Sequence, residues 1–218
     1  MMAPTIAIDG PAGSGKSTVA SSLAAALGLR HIDTGAMYRA LTVKVLNMGV
    51  PVQGKELLAQ LAAETEITLE DGKVTLDGKD VTADIRSPEV DATVSAVAAH
   101  AGVRKVMVAR QRELAKGGAV VEGRDIGTVV LPDADLKIFL TASTEERARR
   151  RHAEHVTRSD SQLDEVEKDI KERDALDTSR EASPLKPAED AITIDSTGLP
   201  ANEVVEAIMA LLPSGQRQ

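Results

Sequence analysis

Residues 8–18 read IDGPAGSGKST, and these residue types at this spacing specify a chemistry. Gly10, four intervening residues, then Gly15, Lys16 and Ser17 fit the pattern G-x-x-x-x-G-K-[ST], whose small residues let successive backbone N–H groups converge on phosphate oxygens. On this pattern Gly10, Pro11, Ala12, Gly13, Ser14, Gly15, Lys16, Ser17 and Thr18 cradle the phosphates of ATP. Lys16 is the cation that reaches the outer phosphates, and the Ser17 hydroxyl is placed to ligate Mg2+. The motif requires a strand before it and a helix after it. TIAI supplies a β-branched run of buried-strand character, and KSTVASSLAAALG supplies a helix closed by Gly28.

Four further stretches set single arginines beside small polar residues near predicted strand ends, where ligands collect in open α/β sheets. In DTGAMYR, Thr34 can donate to a phosphate or ribose and Arg39 can form a two-pronged phosphate pair, with Tyr38 either core or ring platform. VSAVAAHAGVR holds Ser95 and Arg104, which could equally face water from a helix. VEGRDIGT carries Arg124 and Asp125 just past a strand, either as ligand contacts or as a turn salt bridge, with Glu122 suited to a place behind a bound magnesium. In KERDALDTSR, Arg173, Asp177 and Arg180 are spaced to share one helix face, as a site or as an ion-pair stripe. RARRR at 147–151 is the one dense basic run, a solvated helix face unless Arg147 and Arg150 lie over an adenine. The histidines at 31, 100, 152 and 155 have no carboxylate pattern that marks a metal site. An N-K-x-D tetrapeptide, needed to read guanine in a GTP switch, is absent.

The elements that must carry these groups alternate strand and helix, which argues for a parallel sheet covered by helices. AVVEG and DLKIFLTA are apolar runs of buried-strand length, AITIDST is a last strand, and LPANEVVEAIMALL a closing amphipathic helix. STEE opens a charged helix with a capping box at Ser143 and Glu146, and SQLDEVEKDIKERDALDTSR is a second charged helix. ITLEDGKVTLDGKDVTADI differs in kind: apolar alternation broken by EDGK and LDGK reads as a small inserted antiparallel sheet. The helical stretch after it breaks near Gly102.

Composition narrows the function classes. With 218 residues, 42% hydrophobic and 28% charged, the chain has the make-up of an ordered α/β protein. The absence of cysteine excludes disulfides and thiolate metal sites. A formal charge of −8, with one Tyr and one Phe, argues against general nucleic-acid binding, so anionic ligands must be met by local arginines. No apolar run approaches the ~18 residues of a spanning helix, and the expected location is the cytoplasm, with no membrane or nucleic-acid partner.

Together, IDGPAGSGKST, DTGAMYR, SAVAAHAGVR, GRDIGTVVLPDADLKIFL, KERDALDTSR and DSTGL resemble the bacterial cytidylate kinases, of the nucleoside monophosphate kinase group of P-loop NTPases. The resemblance implies a P-loop core over 1–35, 115–150 and 181–218. It further implies a monophosphate-binding region over 36–114 enlarged by the small sheet, and a short helical lid with its following helix over 151–180. It implies ATP-dependent phosphorylation of CMP and dCMP with Mg2+, by a monomer. Lys16, Arg124 and Arg180 would be catalytic, and Arg39, Arg124 and Arg180 would grip the acceptor phosphate. Ser95, Arg104 and Asp125 would read the cytosine edge, and Arg173 and Asp177 would contact the ribose. Glu122 stands where family members often carry Asp, which keeps the carboxylate and changes its reach. Two other functions fit the loop alone: a kinase of another small metabolite such as shikimate, and a non-catalytic nucleotide-binding regulator.

Overall fold

A computed structural model describes residues 3–70, 72–155 and 163–213, the side chains of 154 and 155 excepted. The chain forms two compact units, Met1–His31 with Ala115–Gln218, and Ile32–Leu114.

The first unit is built on a five-stranded sheet of order β2-β6-β1-β7-β8. Its strands are β1 (Thr5–Asp9), β2 (Arg30–Asp33), β6 (Ala119–Gly123), β7 (Leu136–Thr141) and β8 (Ile192–Asp195). β1 pairs in parallel with both β6 and β7, and β7 with β8, as the apolar runs foretell. Helices α1 (Lys16–Leu27) and α8 (Ala201–Leu211) bury Val19, Leu23, Val204 and Ile208 against Ile6, Ile8, Val120, Ile138 and Leu140. Each such side chain removed from water stabilises the unit by roughly 1.5–3 kcal/mol. Pro200 precedes α8 and Gly28, at φ 62°, ends α1, as their local chemistry directs. Helix α6 (Thr144–His155) opens on Ser143, whose Oγ accepts the Glu146 N–H at 3.2 Å. Helix α7 (Leu163–Ser179) packs Val166 and Ile170 on Ala148 of α6. The expected lid tip, residues 156–162, lies outside the described residues.

The second unit centres on α2 (Thr34–Asn47), which is buried nearly all round. One side, with Met37, Tyr38, Leu41 and Val45, meets α3 (Lys55–Glu64), α4 (Pro88–Ala98) and α5 (Ala101–Leu114). The other, with Ala36, Ala40 and Val43, meets Val74 and Leu76 of the small sheet. That sheet is antiparallel in the order β3 (Ile67–Glu70), β4 (Lys73–Leu76), β5 (Lys79–Asp80). Asp77 and Gly78 both take positive φ, 48° and 77°, the two-residue turn that matches the twist of paired strands. Helix α3 has no counterpart in the sequence reading, although Leu58, Leu61 and Ala62 bury a helical stripe.

Candidate active site

The phosphate loop follows β1 directly. Gly10, Gly13 and Gly15 hold φ of 153°, 75° and 86°, and a Cβ on Gly10 would lie 2.0 Å from the Leu140 carbonyl oxygen, so only glycine fits there. Gly15 caps α1 without a side-chain bond, leaving the helix N-terminus to receive an anion. Lys16 Nζ donates to the Pro11 carbonyl at 2.7 Å. Burial, and then the charge of Arg124, hold the Lys16 ammonium well below its usual range, while Glu122 and Asp9 act against this. An anionic phosphate beside it would reverse that penalty.

Ser17 Oγ donates to Glu122 Oε2 at 2.9 Å, joining the loop to the end of β6. The other oxygen, Glu122 Oε1, lies 2.9 Å from His31 Nε2. A hydroxyl beside a carboxylate is a hard-oxygen pair that suits Mg2+, which commonly takes one or two protein ligands and fills its octahedron with water and phosphate oxygens. The residues present therefore fit magnesium. Among the described residues no group of three or more His, Cys, Asp or Glu is placed to hold a metal ion.

Beyond the strand ends lies a second set of charges. Arg124 Nε donates to Asp177 Oδ2 at 2.9 Å, and Arg180 Nε donates to the Asp177 carbonyl at 3.2 Å. Burial alone would raise the Asp177 carboxyl, but Arg124, Arg180 and Arg173 together hold it below its ordinary value. Arg173 also bears on Lys16. Arg147 and Arg150 brace the phosphate loop: Arg147 donates to the Ala12 carbonyl at 3.1 Å and pairs with Asp174 at 2.6 Å. Arg150 bonds the Ser196 carbonyl at 2.7 Å and its own-helix Glu146 at 2.9 Å.

The second unit holds its own portion. Arg39 on α2 donates to the Ile85 carbonyl at 2.9 Å and pairs with Asp91 at 2.6 Å. Arg104 on α5 is buried, donates to the Ala98 carbonyl at 3.2 Å and lies 5.5 Å from the centroid of the Tyr38 ring. Tyr38 belongs to the core there, Thr34 is buried at the start of α2, and Ser95 is half-buried on α4.

A family model described as cytidylate kinase matches residues 6–214. The chain belongs to the cytidylate kinase family. A cytidylate kinase of Desulforamulus reducens is 54% identical over 97% of each chain, and one of a Geobacillus species is 54% identical over 95% of each. A bifunctional pantoate ligase/cytidylate kinase of a Synechococcus species is 52% identical over 95% of this chain and 40% of its own length. A solved structure of an uncharacterized protein from Eubacterium ventriosum shares the fold at TM-score 0.54 and 14% identity, covering 97% and 99% of the two chains.

Arg180 lies one residue past α7, which ends at Ser179, and still meets Asp177, with its side chain 6% exposed. For a cytidylate kinase, one reading from sequence needs correction. His31 does have a carboxylate partner: the second oxygen of Glu122 reaches the imidazole. His100 instead bonds the Val52 carbonyl, and the side chain of His155 lies outside the described residues. Sequence reasoning passed over Asp9, the residue just before the motif, although an aspartate ending a buried apolar strand was the available signal.

Proposed function

We propose that this protein transfers the γ-phosphoryl group of ATP to CMP and dCMP, giving CDP and dCDP with release of ADP. The cytidylate kinase match over residues 6–214 carries the reading, and the GRD and RDxxD arginines beside the phosphate loop support it as the contacts of an anionic acceptor. A phosphate oxygen of the acceptor bonds to the γ-phosphorus as the bond to the β–γ bridging oxygen breaks. Such a transfer needs positioning and charge stabilisation more than a general base, and none is assigned.

Gly10 to Thr18, braced by Arg147 and Arg150, hold ATP, and Lys16 stabilises charge on the transferring oxygens. Ser17, with Glu122 behind it, would hold Mg2+, which would supply neutralisation of the phosphate oxygens. Arg39, Arg124 and Arg180 take the acceptor phosphate, while Arg173 and Asp177 take the ribose, Thr34 donates to the phosphate or ribose and Tyr38 packs toward the cytosine ring. Ser95, Arg104 and Asp125 read cytosine: its exocyclic amine donates to a carboxylate, where uracil presents a carbonyl that a carboxylate repels. The enzyme works in the cytoplasm as a monomer, with 36–114 serving the monophosphate and 151–180 acting as a lid.

Incubation with ATP, CMP or dCMP and magnesium, followed by ion-exchange separation, should yield CDP or dCDP together with ADP, and EDTA should abolish both. ADP release without a new diphosphate would mean hydrolysis and would overturn the reading.

A further inference from the structure

Asp9 ends β1 and has no part in the roles assigned above, yet it is only 4% exposed. One carboxylate oxygen accepts the Ile126 N–H at 2.8 Å and the other the Gly127 N–H at 2.7 Å. The backbone ladder between β1 and β6 ends at the pair Asp9 and Gly123. Where backbone pairing stops, the side chain takes up donors a few residues further along.

Those donors open the turn Ile126–Val130, which begins immediately after Arg124 and Asp125. The turn closes on itself: Val129 and Val130 donate to the Asp125 carbonyl at 2.9 and 3.1 Å, and Leu131 to that of Ile126 at 2.7 Å. Fixing its first two N–H groups therefore fixes the Asp125 backbone. Two close approaches leave little freedom. A Cβ on Gly127 would lie 3.2 Å from Lys137 Cδ and 3.5 Å from Asp9 Oδ2, and Gly10, next to Asp9, is pressed on the Leu140 carbonyl. Burial pushes the Asp9 carboxyl up to about 6, with Asp125 adding to the effect and the Gly127 and Ile126 N–H groups and Lys16 opposing it. An ionised side chain is thus kept where it disfavours folding, which is common for residues held for function.

We infer that Asp9 is a positioning residue, tying the entrance of the phosphate loop to the Arg124–Asp125 segment so that the holders of donor and acceptor share one frame. The inference rests on the cytidylate kinase reading for what Arg124 and Asp125 contact.

Asp9→Asn keeps the volume and turns an amide NH2 toward one of the two N–H donors. KM for CMP should rise, and the preference for CMP over UMP in kcat/KM should narrow, each by about tenfold, while KM for ATP stays within about twofold. A merely structural role would lower kcat for every substrate alike and leave the CMP to UMP ratio intact; that result, or unchanged constants, overturns the proposal. Amide exchange in the unsubstituted protein needs no variant. The Ile126 and Gly127 amides should be protected, and exchange at the rate of exposed amides overturns the proposal even if Asp9→Asn fails to fold. Should the unsubstituted protein fail to phosphorylate CMP while both amides are protected, the functional reading falls and the Asp9 tie stands.

Discussion

At the carboxyl ends of the parallel strands β1 and β6, Asp9 and Glu122 are 4% and 3% exposed, while on the small antiparallel sheet Lys73, Lys79 and Asp80 stand in solvent. Both sheets carry charge at their ends, and topology decides what the charge can do. A parallel sheet is covered by helices, so the crevice past its strand ends is enclosed and electrostatics there are strong. The small sheet packs Val74 and Leu76 on α2, with Ile67 and Leu69 partly buried beside them, and shows its charged residues to water, where charge keeps an edge soluble. Ionisable groups at the first place should bear strongly on rate or on stability, and at the second on neither by much.

The largest test of this contrast is Lys16→Met. Its ammonium acts mainly as charge builds on the transferring oxygens, so kcat should fall by about a thousandfold or more with the melting temperature nearly unchanged. Near-normal turnover would break the comparison at its strongest point.

Next comes pH. Asp9 holds its proton more tightly in the fold than a free aspartate does, burial pushing its carboxyl from 3.8 up to about 6. Its contribution to stability is therefore full below pH 3.8 and lost as pH rises through about 6, a change on the order of 3 kcal/mol at ~1.4 kcal/mol per unit. Urea midpoints for wild type and Asp9→Asn across this window should show that loss in the wild type alone. Parallel curves would mean that the carboxylate is not held at a cost.

A smaller effect sharpens the role of the α7 end. Arg180→Lys keeps the charge and loses the planar fork, and should cut kcat/KM for CMP by about 2 kcal/mol, or roughly thirtyfold. An unchanged kcat/KM with slightly lower stability would make Arg180 a structural partner of Asp177. Smallest is Lys79→Ala on the antiparallel sheet, expected to move stability by less than about 0.5 kcal/mol and the rate not measurably.

What sequence conveyed follows the range of the interactions. The phosphate loop and the Asp77–Gly78 hairpin are set by consecutive residues whose φ requirements are written in their types. The parallel strands were legible because burial on both faces demands unbroken apolar runs. Helix α3 was not, since KELLAQLAAE follows a Pro- and Gly-containing stretch that masks where the helical period begins. Long-range partners carry no local signal: His31 meets Glu122 from 91 positions away, and Asp9 meets Ile126 from 117. In sequence, Arg147 and Arg150 read either as a solvated helix face or as cations over an adenine, and their bonds to the Ala12 and Ser196 carbonyls were not legible because they depend on where the fold sets α6.

The most direct measurement is the rate of ADP release from ATP with the unsubstituted enzyme against CMP, dCMP, UMP, AMP, GMP and shikimate in turn. The account predicts rapid release with CMP and dCMP, much slower release with UMP and background rates with the others. Equal rates for CMP and UMP, or a preference for any acceptor without a cytosine amine, would contradict it.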